Sequence, residues 1–337
     1  MVDAKERIEG LVFGLAYGEG NALPSATHRL GILAPKRIAR MKTLGEFADE
    51  NRQTTRPFPY THAQPGYMLN PSPSDDTEWF SFTADYLLKG EESESAWRAL
   101  ATDLENIRAR TGTKIALKNL AKGQLPPETG QDNPHYFDDI SMIRAVAIAA
   151  LNLGDESKMI EVVDKDVSIT HSEDGLYCAV ATAQLFANLL RGASKEDAIS
   201  CALRSLPENS WSKNMAETAL SISSGKTNTL TRAHDLELQF LENVYAYPVS
   251  APETLGLMLA HFANANSAEE LILSSLLHKR KLDSLPALSG ALAGVVYGTG
   301  WIPQQSMRAD ISLEGVCIPT LKGTSLRELA DRLIDVC

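Results

Sequence analysis

The chain is short of cysteine, of positive charge and of long apolar runs, and each shortage excludes something. Its four cysteines, Cys178, Cys201, Cys317 and Cys337, are scattered, with no Cys-x-x-Cys pair and no zinc-ligand spacing. Free thiols in a reducing compartment are therefore expected. Lysine and arginine number 32 against 43 aspartates and glutamates, for a net charge of −11. That balance argues against a nucleic-acid backbone or an anionic membrane as the main partner and leaves room only for a local basic pocket. The apolar stretch Leu285 to Val296 is too short and too glycine-rich to cross a membrane and reads as a buried helix. The opening Met1-Val2-Asp3-Ala4-Lys5-Glu6 is too polar for a secretory signal, so a cytoplasmic protein is expected. There is no serine elbow and no phosphate-cradling glycine loop with its lysine.

Alternating runs of Val, Ile and Thr are missing too, which excludes a parallel sheet of βαβ units. What is present is helical periodicity. Apolar residues recur at three- and four-residue steps in thirteen segments, from Arg7–Tyr17 and Glu78–Leu88 through Glu94–Arg108 and Asp235–Val244 to Leu285–Gly298 and Ser325–Asp335. With 337 residues and 44% hydrophobic content the chain could form one large domain or two ordinary ones with a substantial core, and its helices joined by short polar loops describe an all-α fold. Two longer irregular stretches, Leu23–Lys36 and Asn51–Pro73, interrupt the helices, and Lys122–Pro134 reads as a turn-rich connector. Long loops in a helical body are often functional.

Glycines recur every fourth residue at Gly10, Gly14 and Gly18, and again at Gly290, Gly294 and Gly298. Each costs a helix about 1 kcal/mol relative to alanine, which makes sense where two backbones must approach closely. Both helices are expected at the centre of the fold, with their ends near one another. Ser74-Asp75-Asp76-Thr77 packs hard oxygen donors behind a proline-rich loop. Such a set suits Mg²⁺ or Mn²⁺, although Ser and Asp are also ordinary helix-capping residues. Asp283-Ser284, far downstream, is its candidate partner.

Taken in order, these segments resemble the ADP-ribosylglycohydrolase family. Gly10-Leu-Val-Phe-Gly14-Leu-Ala-Tyr-Gly18-Glu19 resembles its glycine-rich opening helix, and Ser74-Asp75-Asp76-Thr77 its Ser/Thr-Asp-Asp-Thr metal motif. Thr111-Gly112-Thr113, Asp139–Arg144 and Ser168-Ile169-Thr170-His171 fall where the family has matching segments. Asp283-Ser284 followed by Gly290, Gly294, Tyr297, Gly298 and Ile302-Pro303 resembles its terminal metal helix. The resemblance implies a single compact orthogonal multi-helix domain with a divalent-metal site. It implies a metal-dependent hydrolase of a ribosyl glycosidic bond, acting on a small ADP-ribosyl, nucleoside or nucleotide-like substrate. The alternative is a binding protein for such a ligand on the same scaffold.

The departures are specific. Arg280 and Lys281 stand where the family has a glycine and the first aspartate of its terminal motif, and Glu19 where it has aspartate. One ion, held by Ser74, Asp75, Asp76 and Asp283 with Ser284 beside it, is therefore expected instead of two. Lys281 is expected either to replace the second cation, paired with Asp283 or Asp76, or to point to solvent within an exposed basic run. Asp76 or Glu19 is the candidate general base, Glu19 being alternatively a solvated residue at a helix end. His171 either contacts ligand or makes structural hydrogen bonds. Arg144 either pairs with a buried carboxylate or contacts phosphate, and Tyr247 either stacks on a base or packs in the core.

Overall fold

The computed structural model describes residues 2–22, 73–241, 247–308 and 311–336. The loop Leu23–Lys36 and nearly all of Asn51–Pro73, with His28, Arg29, His62 and Tyr67, lie outside the described residues. Among the described residues the chain forms fifteen α-helices and no strand. They are α1 (Ala4–Ala22), α2 (Asp75–Leu88), α3 (Ser93–Ala101), α4 (Thr111–Ala121), α5 (Glu128–Gln131), α6 (Ile140–Leu151), α7 (Glu156–Val167) and α8 (Glu173–Leu190). They continue with α9 (Lys195–Ser205), α10 (Trp211–Ser223), α11 (Thr229–Gln239), α12 (Ala251–Asn264), α13 (Ala268–Leu276), α14 (Ser284–Tyr297) and α15 (Leu326–Val336). No described helix is long and apolar enough to cross a membrane.

The glycine strips do what their spacing predicts. Helices α1 and α14 form the largest helix–helix contact. Gly10 lies against Gly294, Gly14 against Gly290, and Gly18 against Pro286, so the two helices run antiparallel. A Cβ placed on Gly294 would sit 1.8 Å from the Gly10 carbonyl oxygen. Only hydrogen fits between these backbones. Helix α14 of this pair and its neighbours α6 and α12 are buried on nearly every face, as expected of helices that are apolar all round. One hydrophobic cluster runs from Ile8 in α1 to Leu333 in α15.

Helix α7 lies outside the thirteen expected segments. Half of its residues are charged, and Met159, Val163 and Val167, four residues apart, are buried together with Asp166. Its start is marked by the cap Asp155, whose side chain accepts from the Lys158 amide at 3.0 Å. The segment expected as Glu94–Arg108 ends at Ala101, and α11 begins six residues before the expected Asp235, capped by Asn228. The single turn α5 sits inside the expected connector.

Candidate active site

Antiparallel packing of α1 on α14 puts the C-terminal end of α1 beside the first turn of α14, and this sets the site. Glu19, near that end, is buried and neither solvated nor free. Its carboxylate accepts from the backbone amides of Ser74 (2.9 Å), Asp76 (3.0 Å) and Thr77 (3.2 Å), and from the Thr77 hydroxyl at 2.6 Å. It caps the start of α2 from another helix, where Ser74 itself makes no side-chain cap. Burial, with the Asp75 charge adding to it, pushes the Glu19 carboxyl up to about 8, while the bonds from Thr77 and Ser74 pull it back. Both Glu19 oxygens are engaged by the start of α2, so its contacts here position that helix. Glu19→Ala should strip three amides of their acceptor and cost about 3 kcal/mol or more in urea unfolding. Glu19→Gln, which keeps one acceptor, should cost less.

Held this way, α2 presents Asp75 and Asp76 toward Asp283 at the start of α14. One carboxylate oxygen from each lies within 4.8 Å of the others. Asp76 Oδ1 accepts from the Ser284 hydroxyl at 3.0 Å, whereas its Oδ2 is buried without a hydrogen-bond partner. Burial, reinforced by Asp75, holds the Asp76 carboxyl well above the usual carboxylate range. Ser74 is buried, and its hydroxyl donates to Asp75 at 3.3 Å. Helices α2, α4, α6 and α14 all begin at this cluster, and their positive ends favour negative charge there.

Among the described residues, the cation set between these carboxylates is Arg110. Its Nη2 is 3.2 Å from Asp76 Oδ1, 3.2 Å from Asp283 Oδ1 and 2.8 Å from the Ser284 hydroxyl oxygen. Its Nη1 pairs with Asp139 Oδ1 and lies 3.7 Å from Asp138 Oδ1. Burial works against the guanidinium charge, but Asp283, Asp139 and Asp76 overcome it and keep it firmly protonated. Asp139 is held further by Thr254, whose hydroxyl donates to Oδ2 at 2.6 Å.

Lys281 is placed elsewhere. It is buried, which removes the exposed-run alternative, and its ammonium pairs with Glu253 at 2.5 Å instead of Asp76 or Asp283. It also donates to the Tyr247 and Ser250 carbonyls. Burial lowers its pKa and the Glu253 charge restores part of it.

The three residues read as substrate contacts are all in structural networks. Arg144 is fully buried: Nη1 pairs with Asp166 at 2.9 Å, Nη2 donates to the Thr170 hydroxyl at 2.6 Å, and the guanidinium lies over the Trp97 ring at 4.7 Å. Asp166 also accepts from Tyr86 and Trp97. Of the two options for Arg144, the structure takes the buried carboxylate. Arg144→Met should leave Asp166 uncompensated and cost about 3–5 kcal/mol in denaturant unfolding. His171 is buried between the Thr170 hydroxyl (2.7 Å) and Asp138 Oδ1 (3.1 Å). Despite burial, the His171 contact holds the Asp138 carboxyl below its usual range. Tyr247 stacks on His135, ring centroids 4.9 Å apart, and meets Phe137 edge-on.

The ADP-ribosylglycohydrolase family model matches residues 1–337. The chain belongs to the ADP-ribosylglycohydrolase family. A solved structure described as an ADP-ribosylglycohydrolase-related protein complex superimposes with a TM-score of 0.64. Sequence identity is 18%, over 100% of this chain and 98% of that one, so the likeness concerns the fold. No curated protein gives a significant match to the chain. Family membership supports a glycohydrolase, and it gives meaning to a residue that sequence reasoning alone does not single out in this member of the family. Arg110 stands at the N-cap of α4 and makes no capping bond. A cation at the positive end of a helix is electrostatically misplaced unless carboxylates elsewhere hold it. That misplacement is the signal that could have found Arg110, with Asp138-Asp139 as its complement.

Proposed function

We propose that the chain is a metal-dependent hydrolase of a ribosyl glycosidic bond, with an ADP-ribosyl or nucleotide-like small molecule as substrate and one Mg²⁺ or Mn²⁺ as cofactor. The observation that supports this best is the convergence of Asp75, Asp76 and Asp283 within 4.8 Å, with Asp76 Oδ2 buried and unpartnered. Hard anionic oxygens from two helix starts fit a small divalent cation, and an orphaned carboxylate oxygen is costly unless something occupies it. Asp75, Asp76 and Asp283 would hold the ion, with Ser74 adjacent. When bound, the ion would orient ribose hydroxyls and acidify a water.

Hydrolysis forms a bond from a water oxygen to C1 of the ribose. It breaks the bond from C1 to the leaving nitrogen or oxygen, which keeps the electron pair, and passes a water proton to a base. The residues divide that work. Glu19 fixes the start of α2 and so the direction of Asp75 and Asp76. Asp76 Oδ2, without a hydrogen-bond partner among the described residues, is the oxygen offered to the ion, and a water proton would pass to a carboxylate of the same cluster. The buried aspartates also place negative charge where the ribose becomes positive. We read 1–337 as a single domain built around this site.

Turnover tests the reading. The purified chain, with Mg²⁺ or Mn²⁺ and then with chelator, should release product from at least one member of a panel of ADP-ribosylated peptides, ADP-ribose conjugates and nucleosides. Release should stop in the chelator. Tight binding without release on every substrate would replace the enzyme by a ligand-binding protein on this scaffold.

A further inference from the structure

The point between Asp76, Asp283 and Ser284 is already taken by nitrogen. Arg110 Nη2 lies within 3.2 Å of Asp76 Oδ1, Asp283 Oδ1 and the Ser284 hydroxyl. These separations are those of ion pairs and ordinary hydrogen bonds to nitrogen, whereas a small divalent cation takes oxygens at about 2.0–2.1 Å. Both cannot occupy that point. The other end of the fork is held by Asp139, itself fixed by Thr254, so the guanidinium has no local freedom to swing aside. Asp76 is thereby divided: Oδ1 accepts from Arg110 and Ser284, and Oδ2 has no hydrogen-bond partner among the described residues.

We propose that Arg110 is a built-in cation that takes the place of a second divalent ion. It neutralises Asp76, Asp139 and Asp283, withdraws Ser284 from coordination and limits the site to one ion on the Asp76 Oδ2 side. Resting on the hydrolase reading, the inference assigns the residue that sets metal stoichiometry. Lys281 is too occupied with Glu253 to do so. A fixed monovalent cation differs from an ion in one respect that matters for use: chelation cannot remove it. The acidic cluster therefore stays partly neutralised, and the scaffold assembled, when the metal is lost.

The test is metal stoichiometry, measured by titrating the full chain with MnCl₂ and following free Mn²⁺ by electron paramagnetic resonance, with bound metal counted after gel filtration. The wild-type chain should take one ion. Arg110→Ala should take two, or bind its first ion at least about tenfold more tightly, because a like charge has gone from beside it. Arg110→Lys keeps the charge and should stay at one. Arg110→Ala that folds only when MnCl₂ is present, judged by circular dichroism, would equally support the proposal. If it folds under neither condition, the wild-type count decides: one ion supports the inference and two overturn it. Unchanged stoichiometry and affinity in a folded Arg110→Ala would also overturn it. Two ions on the wild type leave the hydrolase reading standing, whereas no ion at all removes both.

Discussion

Asp76→Asn should abolish metal-dependent turnover, lowering kcat/KM by about three orders of magnitude or more, and should remove any thermal stabilisation by Mg²⁺. The size of the effect follows from how Asp76 is held. Arg110 and Ser284 both donate to Oδ1, so an asparagine at this position would turn its carbonyl oxygen toward them. Its amide nitrogen would then take the place of Oδ2. An amide NH₂ has no lone pair to offer a metal, so the substitution removes the ligand. The fold should survive, because the asparagine carbonyl keeps the acceptor that Arg110 and Ser284 use. In differential scanning fluorimetry, saturating MgCl₂ should raise the midpoint of the wild type by several degrees; an ion present at a hundred times its Kd contributes about 2.7 kcal/mol. The variant should show no rise. A rise equal to that of the wild type would remove Asp76 from the metal site.

Gly294→Ala should prevent the chain from folding, or cost more than about 3 kcal/mol where folding persists. The added Cβ would lie 1.8 Å from the Gly10 carbonyl oxygen and 2.2 Å from its carbon. Both obstructions are backbone within a helix, so no side-chain rotation relieves them. Separation of α1 from α14 would also pull Glu19 from the start of α2 and Asp283 from Asp76, so surviving protein should lose its metal response. Gly154→Ala is the control: an added Cβ there would meet nothing within 4 Å, and the backbone is not left-handed. That change should stay within about 0.5 kcal/mol. Equal unfolding midpoints for the two variants would contradict the close-packing account.

Much of the architecture is legible in the sequence because the signals are local. Periodicity over α6, α12 and α14, the four-residue glycine spacing and the run of oxygen donors Ser74-Asp75-Asp76 each involve residues within a turn or two of one another. Helix α7, half of whose residues are charged, is not among the expected segments although its buried apolar residues recur every fourth position. The charged residues are harder. Glu19 sits next to polar neighbours at the end of a helix, and nothing nearby says that four donors from residues 74 to 77 will close on it. Lys281, inside His278-Lys279-Arg280-Lys281, looks solvated, yet it is buried on Glu253.

By itself the sequence determined the helical class, the close approach of α1 to α14 and the identity of three aspartates, because periodicity, absent side chains and hard oxygen donors are properties a residue carries in its own turn of helix. Tertiary structure alone decided which cation stands among those aspartates. The energy of a buried charge is set by the few groups within about 4 Å of it, and for Arg110 these come from the separate starts of α2, α6 and α14. Only the packing of those helix ends could choose arginine over lysine.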